Sequence, residues 1–368
     1  MKNNQNERKT IIDNIPKFSL ELVNYNGKDI LNKIGEDVIR NVVYSILCGE
    51  NVRDLTESLT QRRLLLMNAS LFITYIKSLN NITDFTKNLS HLVIDDLKIK
   101  RLTNAQERYL YWFLGITGKS FQNVLRTENN LHEYITRLDD NLKKITDVVI
   151  GEIGDIDVNI NYDNCGYLVK WPSLLRCMLA LGAQTLTIRG SEKSAYGKLF
   201  EKMVLGSVLD ILGGKYIIKD DITRNIMVYW LSERRDKRES DATLLLKPGA
   251  GIRFDIGFIG KGNSEISLDK VTRFEHLMER GGIQYNQTTI IIVDSLGNGS
   301  RTARMAEDIG GHIIQMSCTY WVYELASVIK TEFPFYKNPF DGISEKQSLE
   351  LIKHKMQSIN LGMFLDIN

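Results

Sequence analysis

A change of pattern near residue 155 constrains the fold of this 368-residue chain more than any other feature. Before it, apolar residues recur every three or four positions, which is the spacing of amphipathic helices. After it, short runs rich in β-branched residues interleave with helical segments. We therefore expect a helical domain over residues 1–154 and, over residues 155–368, an α/β (α+β) domain in which helices cover a mixed central sheet.

The first half illustrates the helical pattern. Residues 28–47 place Ile30, Ile34, Val38 and Val42 on one stripe, with charged residues opposite. This spacing predicts an amphipathic helix across the whole segment.

In the second half, the early strands are joined by tight turns and the later ones are separated by helices. Strands are predicted at DIDVNINYDNCGYLVKW (a strand or hairpin), NIMVYWL, DATLLL, IRFDIGFI, EISL, TTIIIVDS and HIIQMS. Helices are predicted at SAYGKLFEKMVLGSVLDILGG, DKVTRFEHLMERGG, GSRTARMAEDIGG and YWVYELASVIK. Antiparallel hairpins followed by βαβ crossovers are therefore expected.

Composition narrows the class of protein. The four cysteines form no CxxC pair, and no His/Cys cluster has zinc spacing, so we expect a cytoplasmic protein without disulfides or a zinc ribbon. No apolar run approaches the length of a membrane span, so no membrane association is expected. The net charge of +2 does not by itself indicate nucleic acid, and such binding would need local clusters of Lys and Arg.

Two carboxylates stand out around a glycine-rich turn. In the strand IRFDIGFI, Asp255 faces the opposite side from Phe254 and Ile256. Glu265 lies on the next predicted strand, and a tight turn would bring its face beside Asp255. A carboxylate among apolar neighbours is costly to bury without a partner or a cation.

Two such carboxylates can hold a hard divalent cation such as Mg²⁺. A bound Mg²⁺ supports phosphodiester hydrolysis, because it activates water and stabilises the charge that develops at phosphorus. The alternative is that Asp255 and Glu265 are ordinary surface acids paired with Arg253 or Lys261.

The Asp, the glycine-containing turn and the Glu-x-Ser of the following strand resemble the PD-(D/E)XK core of type II restriction endonucleases. The resemblance covers roughly residues 185 to 330, and the pattern RFDIGFIGKGN-EI-LDKV-RFE looks closest to CfrBI-like restriction enzymes. It implies a restriction-endonuclease-like core and a Mg²⁺-dependent nuclease. Ser267 stands where that motif has lysine, which puts the usual lysine role in doubt.

The same resemblance implies a further acid. Many restriction enzymes of this fold place a helical glutamate near the metal, and Glu201 lies on the predicted helix before the sheet. That helix is largely apolar, so Glu201 is expected at its buried border. The alternative is a solvated charge flanked by Lys198 and Lys202.

Several residues can replace the missing lysine or extend the metal site. Ser267 is a good N-cap for the next predicted helix, and Lys270 lies one turn further on, so we rank Lys270 first. Glu275 on that helix is a possible migrated acid, and Lys261 in the turn ranks last. Asp241, at the start of the preceding strand, can join the metal shell or be a turn residue.

Two segments carry side chains suited to DNA. The first reads as helix, glycine-containing turn and helix, and one face of its second helix presents Lys119, Gln122, Asn123 and Arg126. Such side chains bond base edges and phosphates from the major groove. An ordinary polar helix surface is the alternative.

The second segment follows a buried strand. Its backbone N–H groups, with Ser300, Arg301 and Arg304, lie at a predicted helix start, which suits an anion or a base edge.

Together these features predict a Mg²⁺-dependent type II restriction endonuclease that cuts double-stranded DNA. A homodimer is expected, because a two-fold protein matches a palindromic site, and a companion DNA methyltransferase is expected to protect the host's sites. The alternatives are a non-catalytic helix-turn-helix regulator and a repair or RNA-processing nuclease on the same core.

Overall fold

The fold is known from a computed structural model. The residues it describes are 9–24, 27–125, 127–218, 226–232, 240–258, 286–295 and 311–365. Helices and strands are numbered below in chain order within these residues.

The helices are α1 (Lys17–Val23), α2 (Gly27–Ile34), α3 (Glu36–Leu47), α4 (Val52–Asn81), α5 (Phe85–Leu97), α6 (Asn104–Phe113), α7 (Gly118–Val124), α8 (Glu128–Ile153), α9 (Trp171–Ile211), α10 (Trp321–Glu332) and α11 (Glu345–Ser358). Short 3₁₀ helices occur at Ile12–Asn14 and Leu361–Phe364. The strands are β1 (Val158–Tyr162), β2 (Cys165–Val169), β3 (Lys215–Tyr216), β4 (Val228–Leu231), β5 (Ala242–Lys247), β6 (Ala250–Gly257), β7 (Asn286–Val293) and β8 (His312–Gln315).

Contacts divide the chain into two compact units. The helical unit comprises Met1–Tyr25 and Leu59–Lys193, and the sheet unit comprises Asn26–Ser58 and Ser194–Asn368. The expected boundary between residues 154 and 155 is therefore not where the contacts divide the chain. The reason is that the first half of α9 packs among the helices, and that α3, early in the chain, packs against α11.

The helical unit is built on a core of aromatic side chains. The Tyr75 ring lies 5.2 Å from that of Phe85 and 6.2 Å from that of Phe113, measured between centroids. A buried ion pair joins Arg63 of α4 to Glu192 of α9 at 3.3 Å. Burial raises the pKa of Glu192, and the nearby guanidinium of Arg63 partly opposes this shift.

The segment predicted to be a strand or a hairpin at the start of the second domain is a hairpin, and it belongs to the helical unit. β1 and β2 pair antiparallel around Asp163 and Asn164, which both have positive φ. Asn and Asp tolerate this left-handed conformation better than most other residues, so the local sequence fits the turn.

The sheet unit contains, among the described residues, a six-stranded sheet in the order β3-β4-β5-β6-β7-β8. β4, β5 and β6 pair antiparallel, whereas β6, β7 and β8 pair parallel. The sheet is thus mixed, as predicted, and its parallel pairs follow its antiparallel ones, except that β3 also pairs parallel with β4. The predicted strand EISL and the two helices predicted between residues 268 and 310 lie outside the described residues.

One face of the sheet is covered by the second half of α9. The Tyr229 hydroxyl of β4 donates to the carbonyl of Gly206 at 2.9 Å. A Cβ at Gly206 would lie 2.7 Å from the Phe364 ring, so any larger residue would force this buried ring to move. α9 runs unbroken from Trp171, well before the helix predicted from the sequence, and ends before Gly213, which has a φ of +90°.

The helix predicted across residues 28–47 is two helices. Gly35 has a φ of +98° and separates α2 from α3. The apolar stripe therefore shifts by one position after the break, so that Ile39 is buried and Val38 is 43% exposed. Within the described ranges, the structure contains no helix with the length and apolar character needed to cross a membrane.

Candidate active site

Asp255 lies on β6, close to its carboxyl end. Phe254 and Ile256 on either side are fully buried on one face of the sheet, whereas Asp255 is partly exposed on the other. In the parallel pairing of β6 with β7, Asp255 is in register with Ile291. The predicted facing of this strand is thus correct, and Asp255 emerges near the edge where ligands bind in open α/β sheets.

Asp241 lies at the same edge. It directly precedes Ala242, which pairs with Phe254 in the antiparallel ladder of β5 and β6. The Asp241 carboxylate accepts a hydrogen bond of 2.9 Å from the backbone N–H of Ile256. The structure therefore brings together two acids that the sequence had suggested, Asp255 and Asp241, and it fixes the backbone next to Asp255.

A third carboxylate at this edge was missed by the sequence reasoning. Asp294 follows β7 directly and is only 6% exposed. Its Oδ2 accepts a 2.9 Å hydrogen bond from Nδ2 of Asn51, whose Oδ1 in turn accepts from the N–H of Arg53 in the first turn of α4. The available signal was an acid placed immediately after the buried strand TTIIIV, but its partner lies more than 200 residues earlier in the sequence.

Burial raises the pKa of the Asp294 carboxyl, and the hydrogen bond from Asn51 and the charge of Arg53 oppose the shift. A raised carboxyl pKa in the folded state means that ionisation costs stability. This cost is absent below the unfolded pKa, grows as the pH rises toward the folded pKa, and is complete above it.

Asp294→Asn is accordingly expected to stabilise the protein at pH 7 and to make little difference near pH 3, because the amide oxygen still accepts from Asn51 without carrying a charge. Thermal unfolding of both proteins between pH 3 and pH 8 measures this. Asp157→Asn, at an exposed acid of the helical unit paired with Lys170, is the control. A stability difference independent of pH would show that ionisation of Asp294 is not responsible.

Glu201 lies on α9 and is partly buried, next to the fully buried Phe200 and close to Met203 and Val204. This is the position predicted for it, at the border of the apolar face of the helix. The side chain is therefore neither a core residue nor a fully solvated charge.

Other predicted site residues lie outside the described part of the chain. These are Lys261, Glu265, Ser267, Lys270, Glu275, Arg126, Ser300, Arg301 and Arg304. Within the described ranges, no three His, Cys, Asp or Glu side chains converge as a metal site. Asp255 and Asp241 offer hard oxygen donors, which suit a divalent metal ion.

The predicted helix-turn-helix pattern is present in the helical unit as α6 and α7. The Thr103 side chain forms a capping box with Gln106 at the start of α6, and Thr117 caps α7. The ring of Phe121 stacks on Tyr111 of α6 at 4.3 Å.

This packing turns the opposite face of α7 outward. Lys119, Gln122 and Asn123 are all exposed on it. Three of the four side chains predicted to contact DNA are thus free of the core.

Asp241, Asp255 and Asp294 thus lie at the carboxyl edge of β6 and β7, and comparison with known proteins shows the family to which the chain belongs. The family model of the CfrBI restriction endonuclease matches residues 36–301, which is more than half of the chain. The chain therefore belongs to the CfrBI restriction endonuclease family, and it is a type II restriction endonuclease, a hydrolase that cleaves DNA at specific sequences.

Among individual proteins, the chain is similar to the type II restriction enzyme CfrBI of Citrobacter freundii. The two are 38% identical over 359 residues, which cover 96% of this chain and 98% of the relative. No solved structure matches the chain. The relative spans the helical unit as well as the sheet, so the similarity is not confined to the segment around Asp255.

Proposed function

We propose that this enzyme hydrolyses both strands of double-stranded DNA in a Mg²⁺-dependent reaction at the carboxyl edge of β6. The observation that carries the proposal is the position of Asp255 beside Asp241, with the Asp241 carboxylate bonded to the N–H of Ile256 at 2.9 Å. Restriction enzymes of this type generally use a divalent metal ion, and the oxygen donors at this edge suit Mg²⁺.

In this proposal the sheet β3 to β8 is the PD-(D/E)XK core. Asp255, Glu265 and Glu201 hold the metal ion, and Asp241 keeps the backbone next to Asp255 in place through the Ile256 N–H. When bound, Mg²⁺ would lower the pKa of the attacking water and stabilise the charge that develops on the phosphate.

Lys270 takes the role that lysine has in the motif. Its ammonium group would neutralise charge near the scissile phosphate, which the Ser267 hydroxyl cannot do. Ser267 itself would cap the helix that carries Lys270, and so orient it. Glu275 and Lys261 remain the weaker candidates for a supporting role.

In this proposal, DNA is recognised by residues other than those at the carboxyl edge of β6. Lys119, Gln122, Asn123 and Arg126 of the α7 segment contact bases and phosphates, and Ser300, Arg301 and Arg304 form a second contact after β7. Exposure of the first three side chains supports this assignment. The enzyme acts as a homodimer in the cytoplasm, and a companion DNA methyltransferase protects the same sites.

Incubation of the pure protein with phage DNA, in Mg²⁺ or in EDTA, tests the proposal. Discrete fragments in Mg²⁺ and intact DNA in EDTA are expected. Binding without cleavage would instead indicate a regulator, and cleavage of RNA or of branched DNA alone would indicate a processing or repair nuclease. Equal cleavage in EDTA would contradict the metal requirement.

A further inference from the structure

Two long helices of the helical unit lie side by side and antiparallel. Arg63, in the first half of α4, pairs with Glu192 near the end of this unit's part of α9. Three turns later on α4, Tyr75 lies next to Ser173 and Cys177, near the start of α9. The two helices thus run in opposite directions over most of residues 63–75 and 173–192.

Both helices pack over the same two neighbours. The Tyr75 ring of α4 contacts Phe85 of α5 and Phe113 of α6. From α9, the Ser173 hydroxyl bonds that of Thr86 in α5 at 2.7 Å. Thr187, further along α9, accepts from Trp112 of α6 at 3.0 Å. α4 and α9 therefore share one supporting layer, and the sides of the two helices that face away from it are together called the outer face.

The outer face is apolar. On α4, Leu65, Leu66 and Phe72 are 68%, 41% and 37% exposed; on α9, Met178 is 57% exposed and Leu186 is 70% exposed. Gly182 lies between the last two, and a Cβ added there would meet no atom within 4 Å. A helix that is apolar around its whole circumference is normally covered on every side.

The middle of the outer face carries no charge, and the exposed Arg62 and Arg189 lie at one end of it. Residues 64–76 of α4 and residues 177–188 of α9 include no Asp, Glu, Lys or Arg. Binding to DNA depends on several cations that contact phosphates, so DNA does not fit the apolar middle of this surface. An uncharged apolar face fits another apolar protein face.

The size of the outer face is compatible with a dimer. At roughly 180 Å² for each fully exposed side chain of this size, the exposed fractions of Leu65, Leu66, Phe72, Met178 and Leu186 amount to about 500 Å². A standard interface takes about 800 Å² from each partner. The five residues therefore supply more than half of one partner's share.

We propose that the outer face of α4 and α9 is the surface through which two copies of this chain associate. The proposal rests on the proposed function, because cleavage of both strands at a two-fold site requires two active sites. A two-fold axis through the outer face brings the same apolar surface of each copy together, as in an isologous dimer. The open space at Gly182 admits a side chain of the partner.

The mass of the full-length protein in solution, measured by sedimentation, tests the proposal. The wild type is expected at twice the chain mass of 42.1 kDa, and Leu186→Glu at the single mass, because dimerisation would bury a charge. Ile218→Glu is the matched control, since Ile218 is 64% exposed but belongs to the sheet unit, and it should remain dimeric. Leu65→Gln is a second variant, expected to weaken the dimer at least tenfold.

Circular dichroism establishes whether each variant is folded. If Leu186→Glu is poorly folded, the dimer affinity of Leu65→Gln tests the proposal instead. A monomeric wild type, or dimers of unchanged affinity in the folded variants, would overturn the proposal. Cleavage is scored separately. A wild type that cleaves DNA as a monomer refutes the outer-face dimer alone, whereas a dimer that Leu186→Glu dissociates but that never cleaves DNA refutes the proposed metal-dependent reaction alone.

Discussion

Asp255→Asn is expected to lower the rate of DNA cleavage by about 10³-fold, which corresponds to roughly 4 kcal/mol in the activation barrier. The amide preserves the shape of the side chain and its place on β6, but it removes the charge that would hold a divalent ion. Single-turnover cleavage of a plasmid in saturating Mg²⁺ measures the effect. Binding of DNA, measured in Ca²⁺, is expected to be unchanged or tighter, because a negative charge near the phosphates is lost.

The matched control for this change is Asp157→Asn, the same substitution at an exposed acid of the helical unit. It should cleave at the wild-type rate. If Asp255→Asn cleaved within tenfold of the wild type, the metal site would have to lie elsewhere, and Asp241 and Asp294 would be the next acids to test.

Lys270→Ala is expected to have the second largest effect on the rate of DNA cleavage. We expect the cleavage rate to fall by about 10²-fold, within the range typical for loss of a residue that assists proton transfer or charge neutralisation. DNA binding should remain the same, because the proposed role of the ammonium group lies in the reaction rather than in recognition. Lys143→Ala, at an exposed lysine of α8, is the control and should leave both quantities unchanged.

The dependence of the rate on pH separates a chemical role of Lys270 from a structural one. A residue that only supports the fold would lower the rate equally at every pH, whereas a charged group near the phosphate would change the profile. If Lys270→Ala cleaved DNA at an unchanged rate, Lys261 or a water molecule would have to take the place of the motif's lysine.

The sheet could be predicted well from the sequence because its signals are local. IRFDIGFI alternates buried and partly exposed residues as β6. The continuous apolar run of TTIIIVDS is β7, which pairs parallel with both of its neighbours. Such patterns report burial directly. The placement of Asp255 on the face away from Phe254 and Ile256 followed from the same alternation.

The division into units could not be predicted in this way. Residue 155 marks a real change of pattern, but the first half of α9 packs with the helices, and residues 26–58 pack with the sheet. These segments pack against partners that are far away in the sequence, and local periodicity does not show which partner a helix packs against. The break at Gly35 could be predicted only in part. A lone glycine in a helical pattern indicates that the helix can end there, but it does not show that it does.

The roles of the acids at the site were likewise not predictable from local sequence. Asp241 was recognisable as an acid at the start of a strand, but its role next to Asp255 depends on the antiparallel register and on the Ile256 N–H. Asp294 was overlooked because its partner, Asn51, comes from the other end of the sheet unit's sequence. Tertiary hydrogen bonds of this kind become visible only in three dimensions.

The central claim is that Asp255 and Glu265 hold the metal ion, and Fe²⁺ used in place of Mg²⁺ tests it most directly. Fe²⁺ accepts similar oxygen ligands, and with ascorbate and peroxide it releases hydroxyl radicals that cut the polypeptide near the bound ion. Mass spectrometry of the fragments should locate cuts near residues 255 and 265, suppressed by excess Mg²⁺ and absent in Asp255→Asn. Cuts elsewhere, or the same cuts in Asp255→Asn, would contradict the claim.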